Sequence, residues 1–173
     1  MSPEKSRHAL VEALEKLMHA MSHEHARLLE LLEEKRRAVG EAQMQKIGEL
    51  ADREREIARR IQEMDRHRQE LLRRIAPLIG ARAEEPLSVS RIAAAVDEPQ
   101  RSEIEHAAQQ LRERVEAVRH ASSVVRTAAE ALANHMAGVM QRVNWALSRA
   151  GVYGSSGRVA VGAQMDFCVD LKT

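Results

Sequence analysis

The chain has 173 residues, of which 31% are charged and 2% aromatic, and its formal net charge is +1. This even charge balance gives no long-range attraction to nucleic acid or anionic lipid, so neither is expected as a partner. No apolar run approaches the ~18 residues that cross a bilayer, so we expect no integral membrane protein. The single cysteine, Cys168, cannot form an internal disulfide and fits a reducing cytosol.

Apolar residues at steps of three and four predict a first helix over about residues 3–39. Gly40 is the best candidate for the turn that follows, and the alternative is a continuous helix through it. A second helix is predicted over about residues 41–79. The heptad positions of this helix that would face a packed neighbour form its seam. Two of these positions are charged, Glu54 and Arg68. A charged residue at such a position either fixes the register of the packed helices or directs its long side chain past the seam, so that its charge stays in water.

A break containing Gly and Pro precedes a short predicted helix over residues 88–96, with Ser88 as its N-cap. Pro99 then marks the start of the last and longest helix, predicted over residues 98–150. Its apolar positions keep an uninterrupted 4-3 spacing, which indicates supercoiled packing against partner helices. The predicted fold is therefore all-α. Residues 1–150 are expected to form an elongated, antiparallel, coiled-coil-like bundle of three long helices and one short helix.

Three long helices leave a groove in which an amphipathic fourth helix can lie. A seam of aliphatic residues and methionines adapts to different occupants more readily than an aromatic core. The occupant is a client, a second copy of the chain, or nothing. The candidate client-groove residues lie along the seam of the last helix: Leu111, Val115, Val118, Val125, Leu132, Met136 and Val139.

Residues 151–173 leave the helical pattern and are predicted to be a Gly-rich tail, either flexible or weakly β. Two segments within it alternate in polarity, but a two-stranded hairpin alone is marginal in water. All three aromatic residues, Trp145, Tyr153 and Phe167, lie near this end. A tyrosine in a Gly-rich tail is typical of a contact surface. Alternatively, Tyr153 packs the end of the last helix against the bundle.

No candidate chemistry in the sequence is complete, so no enzyme, metal or cofactor is expected. His19, His23 and His25 cluster, but zinc needs further ligands at fixed geometry. Glu103 and His106 match one half of a di-iron motif whose other half is missing. The arginine-rich stretch at residues 53–74 is interleaved with acids and lacks aromatic residues for base stacking.

Several short motifs have a fixed order along the chain. Leu87-Ser88-x-x-x-Ile92 precedes Asp97-Glu98-Pro99, and Tyr153-Gly154-Ser155-Ser156-Gly157 follows the last helix. With the helical layout, they resemble the FlgN family of flagellar type III export chaperones over nearly the whole chain. Among the residues that carry the resemblance, three match the tail motif of the family: Tyr153, Gly154 and Gly157.

The resemblance implies a cytoplasmic, non-enzymatic chaperone. Its clients would be hook-associated junction proteins of the FlgK and FlgL type, bound through their C-terminal segments, kept unassembled and delivered to the export gate. It also implies that Tyr153, Gly154 and Gly157 dock on the cytoplasmic domain of the gate. Two alternatives remain: a self-associating structural coiled coil, in which a second copy completes a homodimer, and a metal-binding helical bundle.

Overall fold

The computed structural model describes residues 3–81 and 87–152, and all regular secondary structure in these ranges is helical. Helix α1 spans Pro3–Gly40, α2 spans Met44–Ile75, α3 spans Val89–Ala93 and α4 spans Gln100–Val152, with a short 3-10 helix at Ala76–Ile79. The predicted all-α class, with three long helices and one short helix, is confirmed.

The chain divides into two units, Met1–Glu130 and Ala131–Thr173. The first unit contains α1, α2, α3 and residues 100–130 of α4. The described part of the second unit is the remainder of α4, residues 131–152. The predicted boundary between a bundle at 1–150 and a tail at 151–173 stays a prediction, because residues 153–173 lie outside the described residues.

Helix α1 includes Gly40, and a tight turn at residues 41–43 separates it from α2, so the two are not one continuous helix. The amide of Glu41 donates to the carbonyl of Arg37 at 3.0 Å, and that of Gln43 to Ala38 at 2.9 Å. These bonds satisfy carbonyls that the end of α1 would leave unpaired. Ala42 adopts a positive φ of 51° within the turn. The predicted start of the second helix at residue 41 is therefore wrong by three residues.

The predicted ends of α2 and α3 also differ from the observed ones, in both cases where the pattern of backbone hydrogen bonds changes. Helix α2 ends as an α-helix at Ile75 and not at residue 79. The following turn is a 3-10 helix, with Pro77 in its first turn and Gly80 at a left-handed φ of 68° as its C-cap. Ser88 caps α3 as predicted, accepting a bond from the Arg91 amide. The amides of Ala95 and Val96 bond three residues back, so α3 ends before the predicted residue 96.

Two clusters of buried side chains hold the first unit together. The first joins the beginning of α1, the end of α2, α3 and the beginning of α4. The second joins the end of α1, the beginning of α2 and the middle of α4. Helix α2 is therefore antiparallel to both α1 and α4 within this unit. The first cluster contains Val11, Leu14, Met18, Leu71, Ile75, Ile92, Ala93, Val96, Ile104 and Ala107.

Ion pairs between α1 and α2 accompany the second cluster. Lys35 Nζ donates to Glu54 Oε2 at 2.6 Å, and both side chains are largely shielded from solvent. The charged seam residue Glu54 thus has a partner on the opposite helix, as the register interpretation requires. Arg68 instead donates to Asp65 on its own helix, at 2.7 and 2.9 Å. Its charge therefore does not link the two helices through this contact.

The guanidinium of Arg101 connects the start of α4 to the end of α3. Its Nε donates to the Ala93 carbonyl and its Nη2 to the Val96 carbonyl, both at 3.1 Å. Nearby, Gln100 Nε2 donates to the His8 carbonyl of α1 at 2.9 Å. The Arg101 bonds tie the end of α3 to α4, and the Gln100 bond ties α4 to α1.

We expect Arg101→Met to lower the free energy of unfolding by about 1–3 kcal/mol, because it leaves two carbonyls without their charged donor. The methionine keeps an apolar stem of similar length. Urea denaturation followed by circular dichroism measures the change. Arg114→Met, at an exposed position of the same helix, should stay within about 0.5 kcal/mol. Equal effects of the two substitutions would contradict a stabilising role for Arg101.

Candidate protein-binding surface

The seven predicted groove residues lie in two different environments. In the first unit, Val118 and Val125 are buried in the second cluster, while Leu111 and Val115 are half-buried. In the second unit, Leu132 is half-buried and Met136 and Val139 are 41% and 38% exposed. The packing of α4 on its own bundle accounts for the first group. The client groove itself stays a prediction.

The second unit presents a continuous apolar surface along α4. Of the eight exposed large hydrophobic residues within the described ranges, six lie between residues 136 and 147. Five of them follow steps that place them on one side of a helix, and we call these the exposed stripe: Met136, Val139, Met140, Val143 and Leu147. Contiguous exposed apolar surface of this kind commonly marks a binding site.

Three stripe residues are absent from the predicted groove: Met140, Val143 and Leu147. Met140 and Leu147 widen the stripe, with exposures of 53% and 64%. A strict coiled-coil seam contains only two positions in every seven residues, and Met140 and Leu147 fall beside those positions. The signal was present in the sequence, because Val139-Met140 and Val143…Leu147 extend the apolar face around the helix. A broad apolar face suits a partner surface better than a narrow two-helix seam does.

The charge of this segment differs from that of the rest of the bundle. Residues 131–152 contain Arg142, Arg149 and His135 but no aspartate or glutamate. On α1 and α2, by contrast, arginines have acidic neighbours one turn away, as in Arg27 with Glu24 at 2.8 Å. The exposed stripe therefore lies in a locally basic part of an otherwise balanced chain.

The shifted pKa values arise from such one-turn pairs on α1 and α2. Mutual hydrogen bonding lowers the pKa of Glu12 and raises that of Lys16. Burial raises the pKa of the Asp65 carboxyl, but hydrogen bonds and charge from Arg68 outweigh it, so the pKa lies below its ordinary value. Both sets of shifts are explained by local ion pairing along a helix.

The histidines and acids singled out as metal candidates make separate contacts. His25 is buried, with Nδ1 2.8 Å from the Met21 carbonyl, whereas His23 is exposed. His106 shares a hydrogen bond with Gln110 on its own helix. Within residues 3–81 and 87–152, no group of three or more potential ligands could hold a metal ion. In the same ranges, none of the helices is long and apolar enough to span a membrane.

The predicted docking residues Tyr153, Gly154 and Gly157 lie outside the described residues, as do Phe167 and Cys168. Their proposed contact with the export gate stays a prediction. Among the described residues, the exposed stripe is the surface with the strongest indication of a binding role.

These observations define an all-α bundle whose last helix continues into an exposed apolar face. A family model described as FlgN protein matches residues 1–160, which is nearly the whole chain. The chain therefore belongs to the FlgN family, whose members serve as flagellar export chaperones. No curated protein and no solved structure matches this chain.

Proposed function

We propose that this protein is a cytoplasmic chaperone that binds the C-terminal segments of hook-associated junction proteins of the FlgK and FlgL type. It prevents their premature assembly and delivers them to the flagellar export gate. The single observation that carries the proposal is the exposed stripe on α4, in a chain of the FlgN family. An apolar helix face of this kind accepts an amphipathic helix at i, i+3, i+4 and i+7 anchor positions.

The composition of the stripe supports reversible binding. Met136 and Met140 contribute flexible, polarisable side chains that can adjust to more than one partner shape. A client segment that orders on binding loses conformational entropy, which keeps its affinity moderate and allows release. Delivery for export requires such release, because the client has to leave the chaperone at the gate.

The direct test compares an intact junction protein with a version that lacks its C-terminal segment. We expect the intact protein to form a one-to-one complex by light scattering, with its C-terminal segment protected from limited proteolysis. The truncated protein should not bind. Full binding by the truncated protein would contradict the proposed client site, and absence of any complex would contradict the proposed clients.

A separate prediction concerns gate docking through the tail. Tyr153→Ala should weaken binding to the cytoplasmic domain of the export gate and reduce export, because it removes the aromatic contact area. Client binding, helicity and melting temperature should remain nearly unchanged. Pull-down with the gate domain measures gate binding, and circular dichroism measures helicity and melting temperature. Tyr153→Phe serves as a conservative control. A large loss of melting temperature would instead assign Tyr153 a packing role.

The alternative function is a self-associating structural coiled coil without a client. The same exposed stripe favours it, because a second copy could cover this apolar face. Sedimentation over a range of concentrations distinguishes the two functions. A stable dimer with no affinity for junction proteins would support the alternative.

A further inference from the structure

The exposed stripe is bordered along one edge by basic residues. His135 immediately precedes Met136 and Arg142 immediately precedes Val143, and both basic residues are exposed. Because they are seven positions apart, they lie above one another on the same edge of the helix. We propose that the partner of this surface is an amphipathic helix that carries a row of acidic side chains beside its own apolar stripe.

The sequence leaves Arg142 without an acidic neighbour on its own helix. The positions three and four residues away are Gly138, Val139, Trp145 and Ala146. Arg60 and Arg68 of α2, in contrast, bond to Glu56 and Asp65 within one turn. A basic edge without neutralising acids beside an apolar surface is complementary to an acidic partner, and such complementarity sets partner choice and association rate.

A second copy of this helix does not supply that complement. In an antiparallel pair, the edges that carry Arg142 face each other, and like charges at such positions oppose pairing. In a parallel pair, the same edge faces the side of the stripe that holds Met140 and Leu147, neither of which is acidic. Charge pairing therefore favours a different, acidic helix over self-association.

The inference deepens the proposed function and rests on it for the identity of the partner, but its charge requirement can be tested independently. Two synthetic peptides would share one leucine-based heptad stripe and differ only in the row beside it, with glutamates in one and lysines in the other. Their affinities for the full-length protein would be measured by fluorescence anisotropy at low and high salt. We expect the acidic peptide to bind roughly tenfold more tightly at low salt, with a smaller difference at high salt.

Three variants of the chain separate charge from apolar contact. Arg142→Glu should abolish or reverse the preference for the acidic peptide. Val139→Asp should weaken both peptides. Arg66→Glu, at an exposed position of α2, makes the same change in net charge away from the stripe and should leave the preference intact.

Several results would overturn the inference. These are equal affinities of the two peptides for the wild-type chain, a preference unaffected by Arg142→Glu, and a stripe-dependent dimer that excludes both peptides. A C-terminal fragment of a junction protein, measured in parallel, tests the proposed function separately. If that fragment binds, and Val139→Asp weakens its binding but Arg142→Glu does not, the proposed clients are supported and the acidic row is contradicted. If the protein prefers the acidic peptide but does not bind the fragment, the acidic row is supported and the proposed clients are contradicted.

Discussion

The double substitution Val139→Asp with Val143→Asp is expected to weaken client binding by roughly 100-fold or more. Complete burial of a valine side chain contributes about 1.5–3 kcal/mol, and less than half of each side chain remains to be buried, so the two lost contacts account for roughly tenfold. The rest comes from placing two aspartate charges against the apolar face of the client. Both residues are substantially exposed, at 38% and 46%, so the substitutions should hardly alter the folded chain. Calorimetric titration with the C-terminal fragment of a junction protein measures the loss.

The matched control is Asn134→Asp with Gln141→Asp. These two positions are also exposed and seven residues apart, but they lie on the opposite side of the same helical segment. The control adds the same charge and should retain nearly full affinity. A similar loss in both double variants would show that added negative charge, and not the stripe, determines binding.

Ile104→Ala should lower the free energy of unfolding by about 2–5 kcal/mol, the cost of removing a large aliphatic side chain from a closed core. Ile104 is fully buried in the first cluster, which joins four helices. Because whole domains are stable by only about 5–15 kcal/mol, this single change removes a large fraction of the total. Denaturant titration measures the difference from the wild-type chain.

Val124→Ala provides the control for Ile104→Ala, since Val124 is 39% exposed on the same helix and within the same unit. It should cost less than about 0.5 kcal/mol. If Ile104→Ala does not fold at all, Ile104→Val gives a measurable loss of about 0.5–1.5 kcal/mol. No loss of stability in either Ile104 variant would contradict the central role of the first cluster.

Spacing of apolar residues is sufficient to predict the three long helices, because each has a distinct apolar face, and the short helix is predicted from its N-cap, Ser88. It could not decide which of several adjacent residues is buried. On α1, Val11 and Met18 are almost fully buried, whereas the neighbouring Leu10 and Leu17 are half-buried. All four lie near the same face, and only contact with α2, α3 and α4 selects among them.

The helix ends and the binding surface were harder to predict for different physical reasons. The turn at Ala42 depends on backbone bonds to α1, which leave little signature in residue type. The pairing of Glu54 with Lys35 depends on the register of two helices. Met136 and Val139 are common to the predicted groove and the stripe, but apolar spacing alone does not show that Met140 and Leu147 stay exposed.

The separation between the buried clusters and the exposed stripe has a consequence for how such a chaperone can diverge. If the stripe binds the client as proposed, substitutions in it change partner preference at little cost in folding free energy, because these side chains are already substantially exposed. Substitutions in the clusters reduce stability before they can affect specificity. New client preferences can therefore arise through single steps on α4 in a lineage that keeps its bundle, with no compensating mutation required.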